Sequence, residues 1–198
     1  MKAPAARGPD GATLLDPDER DGLKFGHVTT RGELDRLEQA NIESGLAWLS
    51  RRRRTDILSE RFVRDLHRRL FGDVWRWAGA FRRTEKNIGI DPLHIPVQLR
   101  MLLDDARFWS EHGAYPPLEA AIRFHHRMVQ IHPFPNGNGR HARIAADVYL
   151  EQRFGHDPID WAAGRDLQRM NERRMQYIAA LRAADGGDFA LLLAFVGA

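Results

Sequence analysis

One short stretch of the sequence concentrates the residue types that chemistry on a phosphate group requires. Residues 132–143 read HPFPNGNGRHAR, in which a histidine precedes two glycines and then two arginines three positions apart. Histidine is the side chain whose ordinary pKa best suits a general base near neutral pH, so His132 is the candidate base. Arg140 and Arg143 can share one face of a helix and bind a polyphosphate with their planar guanidinium groups. The stretch therefore predicts a site for a phosphate-containing ligand.

The backbone of the same stretch is also suited to binding an anion. Pro133 and Pro135 restrict φ, whereas Gly137 and Gly139 allow conformations and close approaches that a Cβ would block. The hydrophobic pattern places the start of a helix near Asn138. The first amide groups of a helix have no acceptor within it, which makes that end a ready anion site.

The rest of the chain predicts an all-α protein, a helical bundle that positions this loop. Thr30 and Ser59 are candidate N-caps, and Pro96 and Pro117 suit the first turns of later helices. The hydrophobic spacing predicts helices at about residues 31–54, 60–70, 96–111, 117–131, 138–154, 167–181 and 189–196.

The predicted domain organisation is an arm followed by one domain. Residues 1–28 are rich in Pro, Gly and Asp and are expected to form an N-terminal arm that is partly flexible. Residues 29–198 are expected to form the domain, with a core at about residues 59–154. A segment from Trp75 to Pro96 holds glycines and an Asp-Pro pair that disfavour a helix, so a short β-hairpin or an extended flap is expected there.

The composition limits the class of protein. The chain has 198 residues, of which 43% are hydrophobic and 29% charged, as in globular proteins. It has no cysteine, which excludes disulfides, thiolate metal sites and cysteine nucleophiles. We find no apolar run that could span a bilayer and no signal-peptide core, so a cytoplasmic protein without a membrane partner is expected. The net charge of +3 is compatible with a phosphate ligand, and a GC-rich coding bias toward arginine would produce the same surplus.

The loop at residues 132–143 resembles the signature of the Fic family, His-Pro-Phe-x-x-Gly-Asn-Gly-Arg-x-x-Arg. Trp77-Ala78-Gly79 followed by Phe81-Arg82 resembles the segment before the Fic flap. The similarity spans about residues 59–154. Lys86 to Ile90 together with Ile95-Pro96 resembles the subgroup called mobile mystery protein B. The resemblance implies a Fic fold and a nucleotidyltransferase that moves AMP from ATP, with Mg²⁺, to a Ser, Thr or Tyr hydroxyl of a target protein.

The resemblance also implies a role for each residue of the loop. His132 would remove the proton from the target hydroxyl, Arg140 would hold the triphosphate tail, and Arg143 would support it. The residues implied to bind the phosphates and nucleotide are Phe134, Asn136, Gly137, Asn138, Gly139, Arg140 and Arg143. The flap residues implied to lay a target segment beside the loop by backbone pairing are Lys86, Asn87, Ile88, Gly89 and Ile90.

Position 136 departs from the family pattern. The commonest residue there is Asp or Glu, which binds magnesium, whereas this chain has Asn136. An amide oxygen can coordinate the metal weakly but brings no charge. Three outcomes stay open: weaker metal binding, a changed donor or transferred group, or a fold kept without catalysis. The alternative function is therefore a catalytically weakened Fic-fold protein that binds a nucleotide or a partner and acts in regulation.

Two other interpretations are weaker. His125, His126 and His132 are a candidate metal set, but no carboxylate or thiol completes a recognisable spacing, so structural histidines are favoured. The run Arg51–Arg54 is compatible with nucleic-acid binding, but basic residues also suit a solvated helix end, which is favoured. Direct nucleic-acid binding is therefore the lowest-ranked hypothesis.

Regulation is expected to come from another chain. Fic proteins often carry an inhibitory helix with Ser/Thr-x-x-x-Glu-Gly/Asn, and Thr29 to Glu33 has this spacing, but Leu34 follows in place of Gly or Asn. Glu33 is instead interpreted as a capping-box residue. The subgroup implies a gene pair with a DNA-binding protein in a toxin–antitoxin-like arrangement, so the expected partners are the target protein and an antitoxin or DNA-binding protein.

Overall fold

The computed structural model describes residues 16–28, 30–51, 55–162 and 172–197, and this part of the chain is mostly helical. The one pairing of extended residues that it contains is an isolated antiparallel bridge between Leu23 and Trp75. The helices are α1 (Pro17–Arg20), α2 (Arg31–Ser50), α3 (Glu60–Phe71), the 3₁₀ turn η1 (Pro92–His94), α4 (Ile95–His112), α5 (Pro117–Ile131), α6 (Asn138–Phe154), α7 (Glu172–Asp185) and α8 (Ala190–Phe195). The all-α prediction is confirmed for these residues.

The helix boundaries follow the local signals in the sequence. Thr30 caps α2 by accepting a hydrogen bond from the amide of Glu33, whose side chain accepts one in return from the amide of Thr30. The Ser59 hydroxyl accepts a hydrogen bond from the Phe62 amide at 3.2 Å and caps α3. Helix α2 was predicted to continue to residue 54, and residues 52–54 lie outside the described part of the chain. The predicted helix from about residue 167 is described only as α7, because residues 163–171 also lie outside it.

The core lies between α3, α4, α5 and α6, the helices on either side of the loop. Leu66, Ile122 and Met128 are fully buried there. The Phe124 ring on α5 packs against the Tyr149 ring on α6, with centroids 5.1 Å apart. The Tyr149 hydroxyl donates a hydrogen bond to the carbonyl of Ala106 on α4 at 2.6 Å. These contacts bury one face of each helix and fix the angle at which α5 and α6 meet the loop between them.

Between Trp75 and Pro96 a short β-hairpin or an extended flap was predicted, and residues 81–91 form no hairpin. This segment consists of bends and coil, without a strand, and it leads directly into η1. A hairpin needs its two arms to bond each other, but the carbonyls of Thr84 and Ile90 accept hydrogen bonds from the guanidinium of Arg82 instead. The side chain of Arg82 thus occupies acceptors that a partner strand would need. We refer to residues 84–91 as the flap.

The part of the N-terminal arm that the structure describes packs against the segment after α3. The amide of Lys24 donates to the carbonyl of Val74 at 2.9 Å, and the amide of Arg76 donates to that of Gly22 at 2.8 Å. The indole of Trp77 donates to the carbonyl of Glu19 at 2.8 Å. Residues 16–28 therefore pack against residues 74–77, and residues 1–15 lie outside the described part of the chain.

The described helices include none that is both long and apolar enough to cross a membrane.

Candidate active site

The loop between α5 and α6 is closed by the side chain of Asn138. Its amide nitrogen donates to the carbonyl of Phe134 at 2.7 Å, and its oxygen accepts from the amide of Phe134 at 2.9 Å. Both residues are buried, with exposed fractions of 2% and 0%. The asparagine thus satisfies both backbone groups of the residue at the loop's centre, and Phe134 anchors the loop in the core as predicted.

A buried histidine on α3, His67, packs against the loop and binds its backbone. The His67 ring stacks on the Phe134 ring with centroids 3.8 Å apart. The amide of Gly79 donates to His67 Nδ1 at 3.0 Å, so the ring proton lies on Nε2, which donates to the carbonyl of Asn136 at 3.0 Å. Burial holds the pKa of His67 well below its ordinary value, so the ring stays neutral and keeps this tautomer. His67 therefore fixes the loop carbonyl at position 136.

The start of α6 points into the loop, as expected for an anion site. Gly137 is the N-cap with φ of 76°, a left-handed conformation that glycine adopts without strain. A Cβ on Gly137 would lie 2.7 Å from the ring of Phe71, so the backbone rests directly on that ring. The following amides of Asn138, Gly139 and Arg140 belong to the first turn, where a helix leaves its donors without internal acceptors. The positive end of α6 therefore lies at the loop.

The candidate base, His132, lies at the C-cap of α5. Its backbone φ is 52°, the one left-handed φ of a residue other than glycine in the described part of the chain. Its Nδ1 lies 3.3 Å from the carbonyl of Val129. Because a carbonyl only accepts, Nδ1 carries the proton and Nε2 carries the lone pair. Burial lowers the pKa of His132 to about 4, so the imidazole is neutral at physiological pH. A neutral ring with a lone pair at Nε2 is the state that a general base requires.

Arg140 is held by a carboxylate from a distant helix. Its Nη2 lies 2.7 Å from Oε2 of Glu38 on α2, and the two side chains are only 18% and 9% exposed. The guanidinium also lies over the ring of Phe71, 4.7 Å from its centroid. The other oxygen of Glu38 accepts a hydrogen bond from the indole of Trp75 at 2.7 Å. The arginine is thus oriented beside the start of α6 and is neutralised by an internal partner.

Arg143 lies on the other side of the α6 start. Its Nη1 would be 3.7 Å from a Cβ at Gly139, which places the guanidinium beside the first turn. The guanidinium carbon lies 5.6 Å from the ring centroid of Tyr177 on α7. The Tyr177 hydroxyl and His125 Nε2 lie 2.9 Å apart in a buried hydrogen bond. Tyr177 on helix α7 therefore contacts Arg143 and also provides the hydrogen-bond partner of His125, one of the three histidines of the metal hypothesis.

The flap touches the candidate base through a glycine. Gly89 has φ of 115°, and a Cβ there would lie 2.7 Å from the Cβ of His132. The side chain of Lys86 is 3% exposed. Its Nζ lies 2.8 Å from Asp16 Oδ2 and 2.5 Å from Glu19 Oε2, so Lys86 attaches the flap to the arm. Among the predicted flap residues, Gly89 thus lies against His132, whereas the side chain of Lys86 is bound by the arm.

The residues of the loop do not form a strong metal site. The side-chain oxygen of Asn136 accepts a hydrogen bond from the amide of Gly137 at 2.6 Å. Within the part of the chain that the structure describes, no three His, Asp or Glu side chains are grouped as metal ligands. His126 bonds Asp185 at 2.9 Å on the far side of α5. The three histidines of the weaker metal hypothesis thus have separate partners.

The structure places Gly89 against His132 and both arginines at the start of α6, where Arg140 and Arg143 have different partners. It adds three residues to which the sequence analysis gave no role in the site: Glu38, His67 and Arg82. Glu38 and His67 lie on the inner faces of α2 and α3, and this position is visible in the helical spacing. A charged or polar residue on an inner face was therefore the available signal, but the partner of each depends on tertiary packing.

Comparison with known proteins finds similarity to the Fic/DOC family and to proteins named protein adenylyltransferase Fic. The Fic/DOC family model matches residues 57–150, close to the predicted core. The protein adenylyltransferase Fic of Drosophila grimshawi is 30% identical over 138 residues, which cover 68% of this chain and 27% of that protein. The protein of the same name from Aedes aegypti is 27% identical over 147 residues, which cover 72% of this chain and 28% of that protein. The chain therefore spans about a quarter of the length of these curated relatives.

Solved structures share the fold. Fic-1 (residues 134–508) from C. elegans aligns with a TM-score of 0.64 and 24% identity, over 89% of this chain and 51% of that chain. The BepC protein from Bartonella tribocorum, with bound AMPPNP, aligns with a TM-score of 0.68 and 16% identity, over 91% of this chain and 96% of that chain. At these identities the similarity establishes the fold.

Proposed function

Because residues 57–150 form a Fic/DOC family domain, we propose that this chain is a protein adenylyltransferase, which transfers AMP from ATP to a Ser, Thr or Tyr hydroxyl of a target protein. The observation that carries the proposal is the state of His132. Its Nδ1 lies 3.3 Å from the Val129 carbonyl, which assigns the proton to Nδ1 and the lone pair to Nε2, and His132 lies in the loop that leads into the positive end of α6. A base and an anion site then lie in one loop, which is what transfer of a phosphoryl group to a hydroxyl requires.

The proposed reaction is a substitution at the α-phosphorus of ATP. His132 Nε2 takes the proton of the target hydroxyl, and the hydroxyl oxygen forms a bond to the α-phosphorus. The bond from that phosphorus to the oxygen bridging to the β-phosphate breaks, and pyrophosphate leaves. The amides of Asn138, Gly139 and Arg140 and the guanidinium groups of Arg140 and Arg143 are the donors proposed for the phosphates.

The target would enter along the flap. We propose that an extended target segment pairs with the backbone of residues 86–90, which lie against His132 through Gly89. Residues 86–90 form no internal hairpin, so the pairing is proposed with the target rather than with a second strand of this chain. The flap would then gain its strand-like pairing from the target.

The donor set of this loop does not fit a tightly held Mg²⁺. That ion prefers carboxylate oxygens, and position 136 supplies an amide whose oxygen already accepts a hydrogen bond from Gly137. In our proposal any Mg²⁺ arrives with the phosphates of ATP and has Asn136 as a weak ligand at most. No step of the proposed reaction depends on a metal held by the protein.

The test is transfer of label from α-³²P-ATP to protein targets in a cell extract. Wild type should label a target, and His132→Ala should lower the rate about 10²–10⁴-fold because a positioned base contributes that much. His112→Ala, which removes an exposed histidine on α4, is the matched control. Equal labelling by wild type and His132→Ala would remove His132 from the mechanism.

A second candidate is a Fic-fold regulatory protein that binds nucleotide or a partner without transfer. The pairing of Glu38 with Arg140 and the amide at position 136 favour it, because both weaken the hold on a metal-bound triphosphate. Calorimetric titration with ATP separates the two. Tight binding that needs no Mg²⁺, combined with no labelling, supports the second candidate, and no binding of any nucleotide excludes both.

The finer identity and setting are also proposals. The sequence of residues 86–90 with Ile95-Pro96 supports the mobile mystery protein B subgroup, and with it a DNA-binding or antitoxin partner in a toxin–antitoxin-like pair. A cytoplasmic location is supported by the cysteine-free composition and by the need for ATP. Affinity purification of the chain from its native cell tests the pair, since a DNA-binding protein should co-purify in stoichiometric amount.

A further inference from the structure

Arg82 is a buried cation whose hydrogen bonds go to main-chain carbonyls. The residue is only 3% exposed. Its Nε donates to the carbonyl of His132 at 2.6 Å, its Nη1 to that of Thr84 at 2.9 Å, and its Nη2 to those of Ile90 and, at 3.4 Å, Ile131. A guanidinium has five donors in a fixed plane, so these acceptors cannot move independently of one another.

These acceptors belong to two separate functional parts. Ile131 and His132 end α5 and carry the candidate base, whereas Thr84 and Ile90 lie at the two ends of the flap. The amide of Arg82 adds a further bond to the carbonyl of Pro133 at 2.9 Å. One residue therefore connects both ends of the flap to the backbone on each side of the base.

The left-handed backbone of His132 requires hydrogen bonds such as those from Arg82 to hold it in place. A left-handed φ of 52° is unfavourable for a residue other than glycine and persists only where its surroundings enforce it. The bond from Arg82 Nε reaches the carbonyl of that same residue. Gly89 meets both groups, since a Cβ on it would lie 2.6 Å from Arg82 Nη2 and 2.7 Å from the Cβ of His132. The contacts among Gly89, Arg82 and His132 thus fix the distance between the flap and the base.

We propose that Arg82 is a positioning residue, which holds the flap at a fixed distance from His132 so that a docked target hydroxyl meets the base. Its catalytic consequence rests on the adenylyltransferase function proposed above, whereas the mechanical link between flap and base does not. Lysine at this position keeps a charge but has one nitrogen, so it can reach only part of the acceptor set.

The first test needs no variant and no turnover. In ¹⁵N-labelled wild-type protein, the Nε–H and Nη–H signals of Arg82 should be resolved and protected from solvent exchange, because its guanidinium is held by several acceptors. The exposed neighbour Arg83 is the internal reference and should exchange fast. Averaged, fast-exchanging Nη signals from Arg82 would overturn the proposal.

The second test compares Arg82→Lys with the matched control Arg83→Lys. By hydrogen exchange, peptides covering residues 84–91 and 129–134 should lose protection together in Arg82→Lys and remain unchanged in Arg83→Lys. In the transfer assay, Arg82→Lys should lower kcat about 10²-fold, the effect of a displacement of about 1 Å between reacting groups, while the Kd for ATP changes less than about twofold. Wild-type protection of both peptides in Arg82→Lys overturns the mechanical link, and an unchanged kcat in an active enzyme overturns the positioning role in transfer.

The two proposals fail in different ways. If wild type transfers no nucleotide to any target, the proposed function fails, and the exchange measurements still decide whether Arg82 joins flap and base. If wild type is active and Arg82→Lys equals it in kcat and in exchange, the function stands and the role of Arg82 does not.

Discussion

The Glu38 carboxylate lies 2.7 Å from the Arg140 guanidinium, and both side chains are largely buried. Glu38 also accepts the indole hydrogen bond of Trp75, so it is fixed in place from two directions. Arg140 is the residue proposed for the triphosphate tail. A nucleotide that uses Arg140 must therefore compete with a carboxylate of the same chain, and Glu38 becomes a determinant of nucleotide affinity.

The first prediction concerns Glu38→Gln. The amide keeps an acceptor for Trp75 Nε1 but removes the charge that neutralises Arg140, so ATP should bind more tightly. A hydrogen bond between charged groups contributes about 1.5 kcal/mol, which corresponds to about a tenfold lower Kd. Calorimetry measures this change. Without ATP the variant should also have a lower Tm, because a buried cation has lost its counter-charge.

Glu43→Gln, on the exposed face of the same helix, is the control for the loss of one acidic group. It should leave the Kd for ATP unchanged. An identical Kd in wild type and Glu38→Gln would show that Arg140 does not bind the nucleotide.

The sequence predicted the loop and its flanking helices because their signals are local. The capping residues Thr30 and Ser59 lie within three residues of the amides that they satisfy. Asn138 closes the loop on Phe134, four residues earlier, and the apolar spacing of α5 and α6 reports directly which faces are buried. The parts of the site that depend on short separations along the chain were therefore accessible from the residues alone.

The parts that were missed depend on contacts between distant segments. Arg82 folds back onto the flap and onto the end of α5, so the segment that reads as a hairpin forms no strand. Lys86 reads as a docking residue but is bound by Asp16 and Glu19 of the arm. Glu38 has an inner-face position, yet only the packing of α2 beside the loop shows that its partner is Arg140. The residue pattern of one segment contains no information on which distant side chain will bind to that segment.

The second prediction concerns Asn136→Asp. Aspartate keeps the oxygen that accepts the amide of Gly137 and adds the charge that Mg²⁺ prefers. ATP binding to the variant should become dependent on Mg²⁺, with a Kd about tenfold lower in the metal than in EDTA, the change that about 1.4 kcal/mol of added coordination produces. Wild type should show a smaller difference.

Asn87→Asp adds the same charge on the exposed flap and should not create this metal dependence. If Asn136→Asp binds ATP equally in Mg²⁺ and in EDTA, position 136 does not face the metal. If it gains metal dependence without gaining transfer, the amide at this position does not limit the reaction.

The third prediction concerns Gly89→Ala. The added Cβ would lie 2.6 Å from Arg82 Nη2 and 2.7 Å from the Cβ of His132, and φ at Gly89 is 115°, so flap and base must move apart. Transfer should fall about 10²-fold, since a displacement of about 1 Å between reacting groups has that effect. The free energy of unfolding should fall by about 1–3 kcal/mol, the cost of a strained backbone.

Gly113→Ala tests the backbone cost alone. Gly113 has φ of 61° and open space around it, so alanine there should lower the free energy of unfolding without lowering transfer. Equal loss of transfer in the two variants would attribute the effect to global destabilisation rather than to contact with His132.

The last prediction concerns acid stability, and it follows from five buried histidines. Burial holds the pKa of His67 and His125 well below the ordinary value of 6.5, lowers that of His126, and lowers those of His132 and His141 to about 4. In the unfolded chain these histidines take up protons near pH 6.5, whereas in the native state their lowered pKa values keep them neutral at lower pH, down to about pH 4 for His132 and His141. The unfolded state therefore binds more protons across this window, and the free energy of unfolding falls as the pH falls.

One carboxylate acts in the opposite direction. Burial raises the pKa of Asp147 from 3.8 to about 6, so the native state binds an extra proton between these values. Its contribution to stability grows as the pH falls and offsets about one histidine. His132 and His141 together take up about two protons on unfolding, and Asp147 offsets about one, which leaves a slope of at least about 1.4 kcal/mol per pH unit below pH 6. The lowered pKa values of the other three histidines act in the same direction, so the free energy of unfolding should fall steadily from pH 7 to pH 5.

Urea unfolding at intervals from pH 7 to pH 5 measures this slope. His132→Gln removes one titrating group and should reduce the slope by about 1.4 kcal/mol per pH unit. A slope that is the same in wild type and His132→Gln would mean that the His132 ring is protonated equally in the folded and unfolded chain. Burial would then not lower the pKa of His132, and a fraction of the His132 rings would carry a second proton at neutral pH.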